Sequence, residues 1–401
     1  VPGDTCQMLF NVLDHFQNRI ESLGLWPYLQ VLYQEEFRAL AALLLSFGLV
    51  MFFARRVIAW LVRMKVGDSP EFYNADLNEL MRSRSGTPTM GGILICGAIL
   101  ASGLLLADLG NRYVVLGLVV LLWLGILGIS DDWLKLTAAR RNPGSREGLL
   151  AWEKLLFQLG IGFMAALFVY MEAGSPDAHV LNLPFQRTYP PAQLEDVLQL
   201  PMTLASGVFV LPAVVFGVVG MLLIAGTSNA VNITDGMDGL AGGTVAVASI
   251  AMMILAWIAG EPRASAFLMV PYVEGSQELM VLAGAMTGAC IGFLWFNVSP
   301  SSVFMGDTGS LPLGGLLAFI AVVIRQEILL LLIGGVFLME IGSVVLQVGY
   351  FKLTRGRRIF RCSPIHHHFH LGGWSEHQVV LRFWLVAVIL AMFALASLKL
   401  R

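Results

Sequence analysis

The sequence predicts an all-α, polytopic membrane protein of about ten transmembrane helices, with both termini on the periplasmic side. Three observations predict it. Of the 401 residues 57% are hydrophobic, and the mean hydropathy is +0.75. Charged residues make up only 13% of the chain, against roughly 25% in a soluble domain. Ten apolar stretches also approach the length of about 20 residues that a helix needs to cross the hydrocarbon core. A soluble protein of this composition would need an enormous core inside a nearly uncharged shell. A net charge of −2 excludes a disordered tail and a nucleic-acid binder. The four cysteines (Cys6, Cys96, Cys290, Cys362) form no C-x-x-C pair, so neither a disulfide frame nor a structural zinc site is indicated.

The elements follow in order. The chain starts at Val1 rather than Met, so residues 1–7 read as a remnant and 8–401 as a single integral-membrane domain; no short apolar region before a small-residue site marks a cleavable signal peptide. Spans are expected near 37–54, 90–107, 113–130 and 155–171, each covering a run without Asp, Glu, Lys or Arg. The segment 172–204, with Pro184, Pro190, Pro191 and Pro201, reads as an ordered loop or short hairpin. Spans near 205–225, 240–259, 279–296 and 311–325 follow by the same criterion. The ninth, 328–350, is interrupted only by Glu340, and the tenth is 380–398. Glu340, alone in a span, reads either as a functional or assembly residue, protonated or hydrogen-bonded inside the protein, or as a helix-packing contact.

Basic residues orient these spans. Segments 55–89, 131–154 and 351–378 hold 6, 5 and 5 of the 25 Lys and Arg, whereas 1–36, 108–112, 172–204 and 260–278 hold only Arg19, Arg112, Arg187 and Arg263. The loops 55–89, 131–154, 226–239, 297–310 and 351–378 are therefore expected to face the cytoplasm.

Those loops also carry acids. Asp131 and Asp132 adjoin directly after a span; they end a helix at the headgroups, or they hold a cation or proton between them. Asn229 to Gly239 carries two asparagines and two carboxylates beside Gly236 and Gly239, with no Lys or Arg. Capping by Thr234 or Asp235 would explain one of these residues and not the set. Asn and Asp suit the edges of a base or sugar. Asp307 sits between Gly306 and Thr308, as a helix cap or as a fifth acid at the same membrane face. Hard oxygen donors of this kind suit Mg2+, completed by water and substrate phosphate.

The last cytoplasmic loop has Arg355, Arg357, Arg358 and Arg361, then His366, His367, His368 and His370 between Pro364 and the next span. Arginines beside a membrane ordinarily set topology or meet anionic lipid. The histidines are poorly spaced for one tetrahedral zinc and better suited to phosphate or a metal-bound substrate. Arg84, Thr89 and the turn Gly86 to Gly92 form either a basic flank or a phosphate contact at a helix start, with Lys135 and Lys154 as further cations. No G-x-x-x-x-G-K-[ST] loop occurs, so ATP hydrolysis is unsupported.

These motifs together resemble the bacterial phospho-N-acetylmuramoyl-pentapeptide transferases of the polyprenyl-phosphate N-acetylhexosamine-1-phosphate transferase superfamily. The matching stretches are Gly86–Gly92, Asp131–Lys135, Asn229–Ala241, Phe293–Leu311, Arg325–Glu327, Gln347–Phe369 and Arg382–Trp384, over about residue 37 to the C-terminus. The run Pro364 to Phe369 discriminates best. The resemblance implies transfer of phospho-N-acetylmuramoyl-pentapeptide from its UDP conjugate to undecaprenyl phosphate, releasing UMP, by a homodimer in the bacterial cytoplasmic (inner) membrane with its active site facing the cytoplasm. It implies Asp307 as the Mg2+ ligand and catalytic residue. Asp131 and Asp132 are then the pair that orients or deprotonates the lipid phosphate. Asn232, Asp235 and Asp238, with Asn297, Phe304 and Gly306, form the nucleotide pocket. Lys135, Lys154, catalytic His366 and His367 meet the phosphates and metal site, and Arg84 and Thr89 meet substrate. Arg84 stands where the family commonly has lysine, and His370 where an acid is common.

Direct attack by the lipid phosphate, with Asp131 taking its proton, is the expected course; an aspartyl-phosphate intermediate is the rival. A transferase using UDP-N-acetylglucosamine is the nearer alternative. A secondary transporter is the distant one, since transporters place polar sites near the bilayer midplane.

Overall fold

The computed structural model of the protein describes residues 21–22, 24, 29–64, 86–141, 148–190 and 203–398. Residues 1–7 and the linker with Arg84 lie outside them. Among the described residues the fold is all-α. The elements are α1 (Glu35–Arg63), α2 (Gly92–Leu106), α3 (Arg112–Arg141), α4 (Ala151–Glu172), α5 (Ala213–Thr234), α6 (Leu240–Gly260) and a short α7 (Pro262–Leu268). They continue with α8 (Leu279–Asn297), α9 (Asp307–Val323), a short α10 (Glu327–Ile333), α11 (Gly335–Leu353), a short α12 (Ile365–His370) and α13 (Glu376–Ser397). Eight of these are long and apolar enough to cross a membrane, and the shorter apolar α2 and α9 accompany them, so the chain is a multi-pass membrane protein. A two-stranded antiparallel ribbon joins β1 (Val180–Leu181) to β2 (Phe209–Val210), pairing Val180 with Val210.

The helix α9 sits at the centre. Every residue from Asp307 to Val323 is buried, against α2, α3, α5 and α6. A helix apolar on all sides has to be surrounded in this way. Helix α8 receives α1 along Gly284, Gly288 and Gly292, where a methyl group would strike Ala39, Leu43 and Val50. Small residues four apart let two backbones approach where lipid gives no hydrophobic drive to associate. On the outer helices α4, α11 and α13, large apolar side chains such as Phe168, Val345, Leu385 and Ile389 point outward, as lipid contact requires.

Four expectations need correction. The span placed at 205–225 starts at Ala213 behind Pro212, because residues 209–210 are occupied by β2. That helix then continues to Thr234, so most of the expected loop 226–239 is helical. The spans placed at 311–325 and 328–350 become α9, which starts at Asp307, and a helix broken at Gly334 into α10 and α11. Adjacent glycines are where a helix breaks most readily. The loops 55–89, 131–154 and 351–378 are likewise partly helix, since α1 reaches Arg63, α3 reaches Arg141 and α11 reaches Leu353. Charge marks where lipid contact stops, not where backbone hydrogen bonding stops.

Candidate active site

Helices α3 and α9 pack side by side, and the start of α9 at Asp307 meets Asp131 and Asp132 inside α3, which runs on to Arg141 and so does not end at the pair as one reading of the sequence had it. One carboxylate oxygen from each of Asp131, Asp132 and Asp307 lies within 4.8 Å of the other two, and all three residues are buried. The first N–H groups of a helix lack partners within it. At α9 they are met by a different helix: Asp132 Oδ2 accepts the N–H of Thr308 at 2.9 Å and its hydroxyl at 2.7 Å, and Oδ1 accepts the N–H of Asp307 at 3.3 Å. A carboxylate also suits the positive end of the helix dipole.

Gly306 makes this approach possible. Its φ of 73° is left-handed, and a methyl group there would sit 2.7 Å from Asp132 Oδ2 and 2.9 Å from Thr89 Oγ1. Thr89 is held beside it because the N–H of Phe304 donates to Pro88 O at 2.8 Å, and those of Gly91 and Gly92 donate to Phe304 O and Met305 O at 2.9 Å.

Two lysines tie the acids together. Lys135, one turn beyond Asp131, places Nζ 2.7 Å from Asp131 Oδ2 and 3.2 Å from Asp307 Oδ2. Lys154 on α4 reaches the same two oxygens at 2.8 and 2.5 Å. The other Asp131 oxygen accepts the N–H of Leu149 at 2.8 Å. In the last turn of α5, Asn232 Nδ2 donates to Asp307 Oδ1 at 2.7 Å and to Ser310 Oγ at 2.9 Å. Just past that helix, burial first, and then the negative charge of Asp307, hold the Asp235 carboxyl well above the usual carboxylate range.

The carboxylates therefore outnumber the ammonium groups, and every donor is a hard oxygen. This set fits a divalent cation such as oxygen ligands hold.

A second group adjoins the first. Asn297 spends its amide on structure: Oδ1 accepts the N–H of Gly239 at 3.0 Å, and Nδ2 donates to Val303 O at 2.9 Å. Asp238 Oδ2 accepts the N–H of Ser301 at 3.3 Å, and its own N–H donates to Glu376 at 3.1 Å. Phe304 is half-buried on the adjoining segment. The histidines divide by task. His366 and His367 are buried, with ring centroids 4.1 Å apart. His368 Nδ1 accepts the N–H of Arg361 at 3.1 Å, and His370 Nδ1 lies 2.9 Å from Trp374 O. The site residues Asp131, Asp132, Asp307, Lys135, Lys154, Asn232, Asp235, Gly306 and Thr89 thus share one cluster, with Asp238, Asn297, His366 and His367 on the adjoining turns.

Sequence reading missed Thr308, Ser310 and Gln347. Thr308 looked like an ordinary residue at a helix start, and its partner comes from another helix. Gln347 Oε1 accepts the N–H groups of Ile359 and Phe360 at 2.9 and 3.0 Å, which anchors the basic loop. No local signal identifies such a contact.

Comparisons with known proteins agree on one family. Residues 114–325 match the model of glycosyl transferase family 4, and residues 85–96 match signature 1 of the phospho-N-acetylmuramoyl-pentapeptide transferases. The chain is 41% identical to the phospho-N-acetylmuramoyl-pentapeptide-transferase of Thermodesulfovibrio yellowstonii over 98% of its own length and 100% of the relative's. It is 43% identical to the protein of that name from Desulfotalea psychrophila, over 91% of this chain and 93% of the other. It is 40% identical to the one from Desulforapulum autotrophicum, over 98% of this chain and 100% of the other.

Proposed function

The chain belongs to the phospho-N-acetylmuramoyl-pentapeptide-transferase family of phosphotransferases, and on that premise we propose that it moves phospho-N-acetylmuramoyl-pentapeptide from its UDP conjugate to undecaprenyl phosphate in the bacterial cytoplasmic membrane. The observation that carries the reading is the convergence of Asp131, Asp132 and Asp307 within 4.8 Å at one end of the bundle. The same end bears Lys135 and Lys154, and their segment 131–154 is one of the Lys- and Arg-rich ones, which supports a cytoplasmic site.

Asp131, Asp132 and Asp307 would hold Mg2+, which when bound neutralises charge on the diphosphate and on the UMP leaving group. Lys135 and Lys154 already span Asp131 and Asp307, so arriving phosphates meet two ammonium groups fixed in place. Asn232 holds the Asp307 carboxylate through its second oxygen. Asp238, Phe304 and the turn at Gly239 form the wall on which the uridine rests, and Asn297 keeps that wall in register. Asp131 accepts the last proton of the lipid phosphate, which then attacks directly.

The lipid tail has a path. An apolar cavity of about 230 Å3 lies between α5, α10 and α11, lined by Leu222, Leu223, Gly226, Leu330, Phe337 and Ile341. A polyprenyl chain could lie there with its phosphate toward the acids.

The test is UMP release from UDP-N-acetylmuramoyl-pentapeptide and from UDP-N-acetylglucosamine, each with undecaprenyl phosphate, with and without Mg2+. Release from the first donor only, dependent on the metal, is the expected result. Release from the second alone would assign the chain to the hexosamine transferases instead. Inversion at the transferred phosphorus is expected for direct attack, and retention would favour the aspartyl-phosphate route.

A further inference from the structure

Glu340 is the one charged residue in the apolar stretch 328–351. It lies in the second turn of α11, on the face that also buries Val336, Ser343 and Gln347, and is itself completely buried. A carboxylate at membrane depth is costly unless a partner compensates it. The partner comes from α12: His366 Nδ1 lies 2.9 Å from Glu340 Oε2, and both side chains are 0% exposed. The other ring nitrogen, His366 Nε2, is buried and has no hydrogen-bond partner among the described residues. It faces the turn after α5, where a methyl group on Gly236 would sit 2.4 Å away from it. Next in that turn stands Asp235, whose carboxyl feels the charge of Asp307.

We propose that Glu340 is a positioning residue: it holds His366 by Nδ1, from within the membrane-spanning α11, so that Nε2 is presented across Gly236 to the diphosphate of the nucleotide substrate. This rests on the site reading given above and adds the group that sets the histidine's proton and ring angle. A carboxylate can only accept, so its bond to Nδ1 keeps a proton on that nitrogen. The ring then has one nitrogen engaged and one left for phosphate oxygen or for the departing UMP. A histidine that binds through one nitrogen is regularly oriented by a carboxylate on the other. A packing role alone would need no acceptor at 2.9 Å and would leave no reason for the opposite nitrogen to face the turn unpartnered. The break at Gly334 contributes, because it lets α11 start afresh and carry Glu340 beneath α12.

The experiment uses the full-length protein in detergent with 15N-labelled histidine, the His366 signals being assigned by their loss in His366→Gln. In the unsubstituted protein Nδ1 is expected to carry a proton, and an unprotonated Nδ1 would overturn the proposal without any variant. Glu340→Met is expected to release that proton to exchange between the two nitrogens. It is also expected to lower kcat by about 10- to 100-fold, with KM for the UDP-linked donor within about threefold. Glu340→Asp should recover part of both the signal and kcat. An unaltered ring spectrum together with full turnover in Glu340→Met would leave only packing, and the proposal would fall. Wild-type turnover by His366→Ala would overturn the site reading underneath, whereas the position of the ring proton tests the inference by itself.

Discussion

Asp132 on α3 accepts both the backbone N–H and the hydroxyl of Thr308 on α9, at 2.9 and 2.7 Å. The start of the central helix and one wall of the acid cluster are therefore a single joint. A helix start displaced by a few tenths of an ångström moves Asp307, the first residue of the same helix. Thr308→Val removes the hydroxyl at nearly constant volume. Stability should fall by about 1.5–3 kcal/mol, the scale of one buried hydrogen bond to a charged group. Turnover should fall further than KM for the nucleotide rises, because the carboxylate rather than the pocket is disturbed. Chemical unfolding in detergent and steady-state kinetics check the two halves separately.

Lys154 joins Asp131 to Asp307 from a third helix, with only 16% of its side chain exposed. Lys154→Met leaves Lys135 as the one ammonium group between these two carboxylates, so the metal-free protein should melt lower than wild type. Added Mg2+ should raise its Tm by more than it raises the wild-type Tm, since ligand binding stabilises by mass action and the variant offers the more negative site. Activity should drop at least about 100-fold, the usual scale for losing a preorganised charge at a reacting phosphate. Equal Tm gains in both proteins would show that no cation enters between these carboxylates.

The parts of this architecture written in the sequence are those that lipid dictates. Each of the ten apolar runs becomes helix, the ninth as the pair α10 and α11, because a backbone in hydrocarbon has to satisfy its own hydrogen bonds. Asp131, Asp132, Asp235 and Asp307 stand out because nothing in a lipid-facing helix needs them. What the sequence hides is the pairing across helices. Asp132 could be read as the end of one helix, whereas it caps another. Glu340 showed as an oddity in a span, but its partner lies 26 residues on, in a separate helix. The start of α5 was hidden for a related reason: residues 205–212 are apolar enough to pass as membrane, and only the pairing of Phe209 with Leu181 marks them as ribbon.

Asp235 gives a pH prediction whose sign can be worked out. Burial and the charge of Asp307 raise its carboxyl above the unfolded value, so the folded state binds this proton more tightly than the unfolded chain does. In wild type that favours folding at low pH and is lost as pH rises through the folded value. Asp235→Asn copies the protonated form, and its Oδ1 can still accept the Gly306 N–H. In metal-free detergent solution the variant should therefore melt higher than wild type near pH 7. The gap should close as pH falls through the ordinary carboxylate range. A Tm difference constant between pH 4 and 8 would mean that Asp235 ionises normally.

The end of the bundle away from the acids offers a control. Arg38 on α1 forms an ion pair with Glu278 just before α8, with side chains 5% and 8% exposed. Arg38 also donates to Leu106 O at 3.2 Å, and Glu278 accepts the N–H of Asp108 at 3.1 Å. The pair thus ties together the starts of α1 and α8 and the end of α2. Removing one member of a buried pair leaves a bare charge, at a cost of about 3–5 kcal/mol. Replacing both members costs far less, because nothing charged is left behind. Arg38→Met should accordingly melt well below wild type, while Arg38→Met with Glu278→Gln should recover most of the loss, the amide still accepting from Asp108. At temperatures where each variant is folded, KM for the nucleotide donor should stay at the wild-type value in both. A raised KM in the folded single variant would show that this joint is coupled to the site at the opposite end of α2, where Gly92 meets Met305.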